Sequence, residues 1–323
     1  MAGIIAAETD NAQGVAGLGW ETQIVPYKVL DNRGNGSLSE LILAIEAATE
    51  SGAKVINMSL GSPPGQGNCP ASLQAVIDDA YNHGVLVVVA AGNDSDDAST
   101  VIPANCAHVL TVSSTDSDDT LSSFSNTGSV IDVSAPGGFI YSTVLDDSYT
   151  YMSGTSMATP YVAGLAALVF AAHPTYTPDQ VASAILDHAV DLGLPGWDDH
   201  FGCGRIDAFE AIAGGAAGAV AQCHTTALSA AETASSSSTA AAALAAPRTD
   251  LPHRTGILIV KWRSGMLAAS SLSRAYGLEP IHHLPDGSWV MRVHLDSEET
   301  IAHRLLRDGL AEYVTLDYIL SAK

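Results

Sequence analysis

The sequence predicts an α/β fold: a parallel sheet with helices on both faces over residues 1–213, then a small ferredoxin-like unit of order βαββαβ over 256–323. Three observations predict it. Strand-like and helix-like patterns alternate through the first 213 residues, the pattern of parallel strands joined by crossover helices. Gly84 to Ala91 (G-V-L-V-V-V-A-A) is a continuous apolar run, as expected of a strand covered on both faces. Beyond residue 255 two strand–helix patterns meet at a Pro285-Asp286-Gly287 turn, which gives the split-βαβ order.

The elements follow in order. Ile24 to Leu30 reads as a short strand. Ser37-Leu38-Ser39-Glu40 is a capping box, in which the Ser37 hydroxyl and the Glu40 carboxylate each satisfy a free amide at a helix start. That helix runs through Leu41, Ile42, Ile45 and Ala48 and stops at Gly52. Lys54 to Ser59 is a strand, Leu73 to His83 a helix ended by Gly84, and Val109 to Ser113 a further strand. Residues 214–255 are rich in Ala and Ser with few large side chains; they cannot bury enough apolar area to fold alone and read as a linker. The last unit runs strand (Gly256–Trp262), helix (Met266–Tyr276), strand (Glu279–Leu284), strand (Trp289–Leu295), helix (Glu298–Arg307) and strand (Ala311–Ile319).

Composition narrows the function. Net charge is −22. Residues 1–213 hold 4 Lys+Arg against 25 Asp+Glu, so nearly all of that charge lies in the first domain. Such a surface argues against nucleic acid and anionic membranes as partners and suits cations such as calcium. No run of eighteen apolar residues occurs, so no membrane-spanning helix is expected. Met1 to Ala7 has no basic flank and no polar cleavage region, so it is not read as a signal peptide. The four cysteines, Cys69, Cys106, Cys203 and Cys223, have no CxxC spacing and fit disulfides better than zinc. Cys69 and Cys106 lie in loops flanking one helix–strand unit, which suggests one bridge and leaves Cys203–Cys223 as the second; the alternative is four reduced thiols.

Gly154 to Pro160 read G-T-S-M-A-T-P and lead into an apolar helical run. Ser156 thus opens a helix, where free amides and the helix dipole favour developing negative charge. A serine hydroxyl needs a base, an orienter for that base and donors for an oxyanion before it can act as a nucleophile. The bland alternative is an ordinary serine at a helix start.

With these residues the chain resembles the catalytic domain of a subtilisin-like serine protease, in particular the thermitase-like members. Val55 to Gly61 (V-I-N-M-S-L-G) resembles the substrate-binding strand edge, and Val87 to Asn93 (V-V-V-A-A-G-N) the strand that carries the oxyanion asparagine. Ser122 to Ser125 and Ala135-Pro136-Gly137 resemble further framework of that family. The resemblance implies a secreted or periplasmic endopeptidase acting on peptide or protein substrates through a Ser156 acyl-enzyme. It makes Asn93 the oxyanion donor, Ser59, Leu60 and Gly61 the strip that pairs with an extended peptide, and Ala91 and Gly92 the wall of the specificity pocket. No catalytic cofactor is implied. Calcium is implied as a structural ion in the loop Glu8 to Val15, held by the Asn11 side chain and the Glu8, Gln13 and Val15 carbonyls.

The same resemblance implies a histidine in an H-G-T-H-V-A-G string and, further upstream, an aspartate in D-T-G. Met1 falls where that string has valine, and none of the eleven histidines present sits in a matching context. The sequence is therefore expected to be an N-terminally shortened reading, with a GTG valine codon taken as the start, and to be inactive as written. Residues 256–320 resemble the propeptide domains of the family through Ile257–Trp262, Tyr276-Gly277-Leu278 and the closing Ala311–Tyr318 segment. That implies a cis inhibitor or folding aid whose tail enters the cleft after Tyr318. The competing readings are a peptide-binding pseudoprotease and an inhibitor working through 256–323.

Overall fold

Caps and apolar spacing decide where this chain coils. The computed structural model describes residues 1–214, 253–263, 276–284, 286–293, 298–308 and 310–322. Helix α1 (Ala2–Ala6) is followed by a long loop and by β1 (Asn35–Ser37). Helix α2 (Leu38–Glu50) starts at Ser37, whose hydroxyl accepts the Glu40 N–H at 3.3 Å while the Glu40 carboxylate accepts the Ser37 N–H at 3.1 Å. This is the capping box the sequence announces. Leu38, Leu41, Ile42, Ile45 and Ala48 form its buried stripe. Gly36 has no room for a side chain, since a Cβ there would lie 2.1 Å from the Val29 carbonyl oxygen.

Strands β2 (Val55–Met58), β4 (Leu86–Ala90), β5 (Val109–Thr115) and β6 (Val133–Pro136) form a parallel sheet in the order β2-β4-β5-β6. The short β3 (Leu60–Gly61) and helix α3 (Ala71–Asn82) connect β2 to β4. All five residues of β4 are buried, as its apolar run requires of a strand covered on both faces. Helix α4 (Thr155–Ala172) packs against all four strands, and α5 (Pro178–Leu186) and α6 (Ala208–Gly214) pack on α4. Among the described residues α4 alone is long and apolar enough to cross a membrane, and most of it is buried in the core. A hairpin, β7 (Ile140–Val144) with β8 (Ser148–Met152), stands apart just ahead of α4.

One expectation fails. Ile24 to Leu30 is not a strand. Ile24 and Val25 are exposed, and the segment runs beside α2, where the Tyr27 hydroxyl donates to the Ala47 carbonyl. Alternating apolar residues make a strand only where a second strand takes up their backbone groups, and none among the described residues does.

The C-terminal unit contains β9 (His253–Trp262), β10 (Leu278–His283), β11 (Trp289–Val293), α7 (Glu298–Arg307) and β12 (Ala311–Ala322). Its sheet is antiparallel, in the order β10-β11-β9-β12. The expected 214–255 linker and the helix expected from Met266 fall almost wholly outside the described residues. Strand β12 passes the expected end at Ile319. Its last residues leave the unit and pair with β1 and β3 of the first domain. One apolar cluster runs from Leu38, Ile42 and Ile77 into Leu258, Val260 and Met291, so α2, α3 and the C-terminal sheet share a core.

Asp132, at the mouth of β6, carries a strained charge. Burial pushes its carboxyl up to about 7, against the pull of the Thr111 N–H, which donates to Oδ2 at 2.7 Å. The folded state therefore favours the protonated form. Its contribution to stability is complete at low pH and lost as pH rises through about 7. The full shift would correspond to at most about 4 kcal/mol, but the residue keeps partial solvent contact, so about 1–2 kcal/mol is expected. Asp132→Asn keeps an acceptor for Thr111 and should raise the melting temperature at pH 8. The gain should shrink towards pH 4; thermal melts across that range check it, and a gain independent of pH would refute it.

Candidate active site

The carboxyl ends of β2 and β4 and the amino end of α4 converge on one spot, where open parallel sheets hold their working residues. Ser156 is the second residue of α4 and is 3% exposed. Its hydroxyl donates to the Ser59 carbonyl at 3.1 Å, and the Ser59 hydroxyl donates back to the Ser156 carbonyl at 3.0 Å. Asn57 Nδ2 donates to the Ser59 hydroxyl at 3.0 Å, while Asn57 Oδ1 is buried with no hydrogen-bond partner among the described residues.

Asn93 follows β4 and is held by Thr155. Its Oδ1 accepts the Thr155 N–H at 2.8 Å and the Thr155 hydroxyl at 2.9 Å. With its oxygen occupied twice, the side chain's NH₂ is left to face away from Thr155. The Thr155 hydroxyl also accepts the Gly92 N–H at 3.2 Å, so one threonine ties Gly92, Asn93 and the start of α4 together. Gly92 has φ +108, and a Cβ there would lie 2.3 Å from Asn126 Nδ2. Only glycine meets both demands.

Asn126 secures the loop from the other side. It donates to the Ala91 carbonyl and accepts the Asp94 and Asp96 N–H groups at 2.9 and 3.0 Å. Neither Thr155 nor Asn126 stands out in the sequence by itself. Thr155 stands inside the G-T-S string and Asn126 directly after Ser122–Ser125, so the signal available was adjacency to a motif.

Ser156, Asn93, Ser59, Leu60, Gly61, Ala91 and Gly92 are thus brought together. Leu60 is 6% exposed with its side chain in the core, so it offers β3 backbone rather than a side chain to the cleft. Ala91 packs against Ala98 and Ile131. Among the described residues no imidazole hydrogen-bonds to Ser156.

Glu8, Asn11, Gln13 and Val15 lie elsewhere. Their loop, Glu8 to Ala16, lines an open surface depression of about 270 Å³. There Asn11 Oδ1 accepts the Gln13 N–H at 3.0 Å. Cys69 and Cys106 are joined, with Cα atoms 5.0 Å apart. Cys203 is not a free thiol, and Cys223 lies outside the described residues.

Comparison with known proteins places this arrangement. The subtilase family (Peptidase_S8) matches residues 1–204. The chain is 43% identical over 213 residues to a thermophilic serine proteinase of Bacillus sp. (strain AK1), a match covering 66% of this chain and 51% of that protein. It is 41% identical over 211 residues to thermitase of Thermoactinomyces vulgaris, covering 65% of this chain and 72% of the relative. Among solved structures, a protease from Pseudoalteromonas arctica PAMC 21717 superposes with TM-score 0.61 at 37% identity, over 66% of this chain and 69% of that one. The chain spans about half the length of the Bacillus relative.

Proposed function

The chain belongs to the subtilase family, and from that premise we propose that its cleft serves hydrolysis of peptide bonds, with Ser156 as nucleophile and Asn93 as oxyanion donor. The observation that carries this reading is the double hold of Thr155 on Asn93 Oδ1, which leaves the amide N–H groups to a negative oxygen beside Ser156. In the reaction the Ser156 oxygen bonds to the carbonyl carbon and its proton passes to a base. The amide C–N bond breaks, the amine leaves with that proton, and water hydrolyses the acyl-enzyme.

No imidazole meets Ser156 among the described residues. We assign the base to a histidine outside residues 1–323, as the family resemblance implies, and read residues 1–323 by themselves as inactive. The test is the chain preceded by a segment bearing the H-G-T-H histidine and the D-T-G aspartate. It should hydrolyse peptide esters, and Ser156→Ala should abolish this. Asn93→Ala should lower kcat about 10²–10³-fold with KM little changed, a range set by the analogous donor in a subtilisin. Hydrolysis that survives Ser156→Ala would end the reading.

The C-terminal unit acts in cis on the same cleft in this reading. The pairing of β12 with β1 and β3 supports it, because an extended strand lying there excludes a substrate strand. The same pairing favours a second reading, a peptide-holding protein that never cleaves. Failure of the histidine-supplied chain to hydrolyse any ester would select it. The Cys69–Cys106 bridge supports export to an oxidising compartment. The loop Glu8–Ala16 fits a calcium ion by its donor set: the Asn11 oxygen and the Glu8, Gln13 and Val15 carbonyls are hard oxygen ligands.

A further inference from the structure

One turn after Ser156, helix α4 contains a proline. Pro160 is buried inside the helix, four residues further on. In an α-helix the N–H of each residue donates to the carbonyl four positions back. Pro160 has no N–H to give, and its ring presses against that same carbonyl. The Ser156 carbonyl is therefore turned out of the helical ladder, and a buried carbonyl must find a donor elsewhere.

The end of β2 supplies the donor. The Ser59 hydroxyl donates to the Ser156 carbonyl at 3.0 Å, and Ser59 is 7% exposed. A hydroxyl has one proton and can give it in only one direction. Asn57 sets that direction. Its Nδ2 donates to the Ser59 hydroxyl oxygen at 3.0 Å, so the Ser59 proton has no acceptor on that side and is left for Ser156. With the amide turned over, the Asn57 oxygen would face Ser59 and draw its proton away. The orientation present leaves Asn57 Oδ1 buried with no hydrogen-bond partner among the described residues, so Ser156 is served at the expense of Asn57 itself. Ser156 is thus pinned on both sides. Ahead of it, the Thr155 N–H and hydroxyl donate to Asn93 Oδ1; behind it, its own carbonyl is held by Ser59.

We propose that Asn57 and the Ser59 hydroxyl are positioning residues for Ser156. Together they replace the hydrogen bond that Pro160 removes from α4, and they hold the nucleophile's backbone still while its hydroxyl gives up a proton. The proposal rests on the reading of Ser156 as nucleophile. It deepens that reading by giving the Ser59 side chain a task apart from its backbone, which is assigned to a substrate strand, and by giving Asn57 a task for the first time.

Two measurements test it, one of them without hydrolysis. Urea unfolding of residues 1–323 reads the link between Ser59 and the Ser156 carbonyl. Ser59→Ala should lower the unfolding midpoint. In the Pro160→Ala background residue 160 regains an N–H for that carbonyl, so the same replacement should lower the midpoint by less than about half as much. Equal shifts in the two backgrounds would overturn the proposal. Pro160→Val, which also restores the N–H, carries the same comparison if Pro160→Ala does not fold. The second measurement uses the chain supplied with its histidine segment. Asn57→Asp should lower kcat about tenfold with KM little changed, because the carboxylate takes the Ser59 proton from the Ser156 carbonyl. Asn57→Ala leaves that proton in place and should lower kcat no more than about threefold. Equal losses in the two variants, or a raised KM with kcat unchanged, would overturn the positioning role. If the histidine-supplied parent hydrolyses no ester, the peptidase reading fails by itself, and the urea comparison still decides whether Ser59 stands in for the missing N–H.

Discussion

Purified residues 1–323 are expected to turn over a peptide ester about 10⁶-fold more slowly than the same chain supplied with its histidine base. In a subtilisin, removal of the histidine alone costs about 2 × 10⁶ in turnover. What the structure contributes is the state of the hydroxyl. Ser156 donates its proton to a backbone carbonyl, that of Ser59, which cannot accept it in a reaction. Asn93 is held by Thr155 independently of any base, so in the proposed reading its amide is in place for an oxyanion all the same. Residual rate should thus depend on Asn93 more than on Ser156. Stopped assays with a peptide ester over hours check this. Hydrolysis at an ordinary enzymatic rate that disappears in Ser156→Ala would require a base among residues 1–323 and refute it.

Replacing Cys69 and Cys106 together by alanine should destabilise the first domain by about 4 kcal/mol. The bridge spans a sequence separation of 37, and loop-closure entropy for a segment of that length gives this figure. The closed segment contains α3, β4 and the Ala91–Asn93 turn, so the bridge tethers the strand at the middle of the sheet to its surroundings. The loss should appear as a melting temperature lower by roughly 10 °C, at about 2–4 °C per kcal/mol for a domain of this size. Its denaturant slope should also rise if the unfolded chain expands without the tether. A loss under about 1 kcal/mol would mean that the bridge contributes little to the unfolded-state constraint.

How far the sequence could be read depended on the range of the interactions. The capping box at Ser37–Glu40 and the buried run of β4 are local, and both stand in the structure where the residues put them. The convergence of Ser156 with Ser59 and Asn93 was legible only because short motifs on three elements resemble one family. What escaped was decided at long range. Asn35–Ser37 carries no strand pattern of its own; it is a strand because Ile319–Ser321 pair with it from about 280 residues away. Ile24–Leu30 reads as a strand and is not one, since no strand among the described residues pairs with it. The hold of Thr155 on Asn93 joins positions 62 apart in sequence, and that of Asn126 on the Ala91 carbonyl positions 35 apart; no local pattern encodes either.

Strand β12 pairs within both units at once, and in the proposed cis reading this ties release of the cleft to the integrity of the small unit. Its first half is the edge strand of that unit and its second half a guest of the other domain. On that reading, heat that melts the small unit, or a nick in β9, would free the cleft from a distance, like a zipper opened at its far end. The small unit's own melting point would then act as the thermostat of the larger domain.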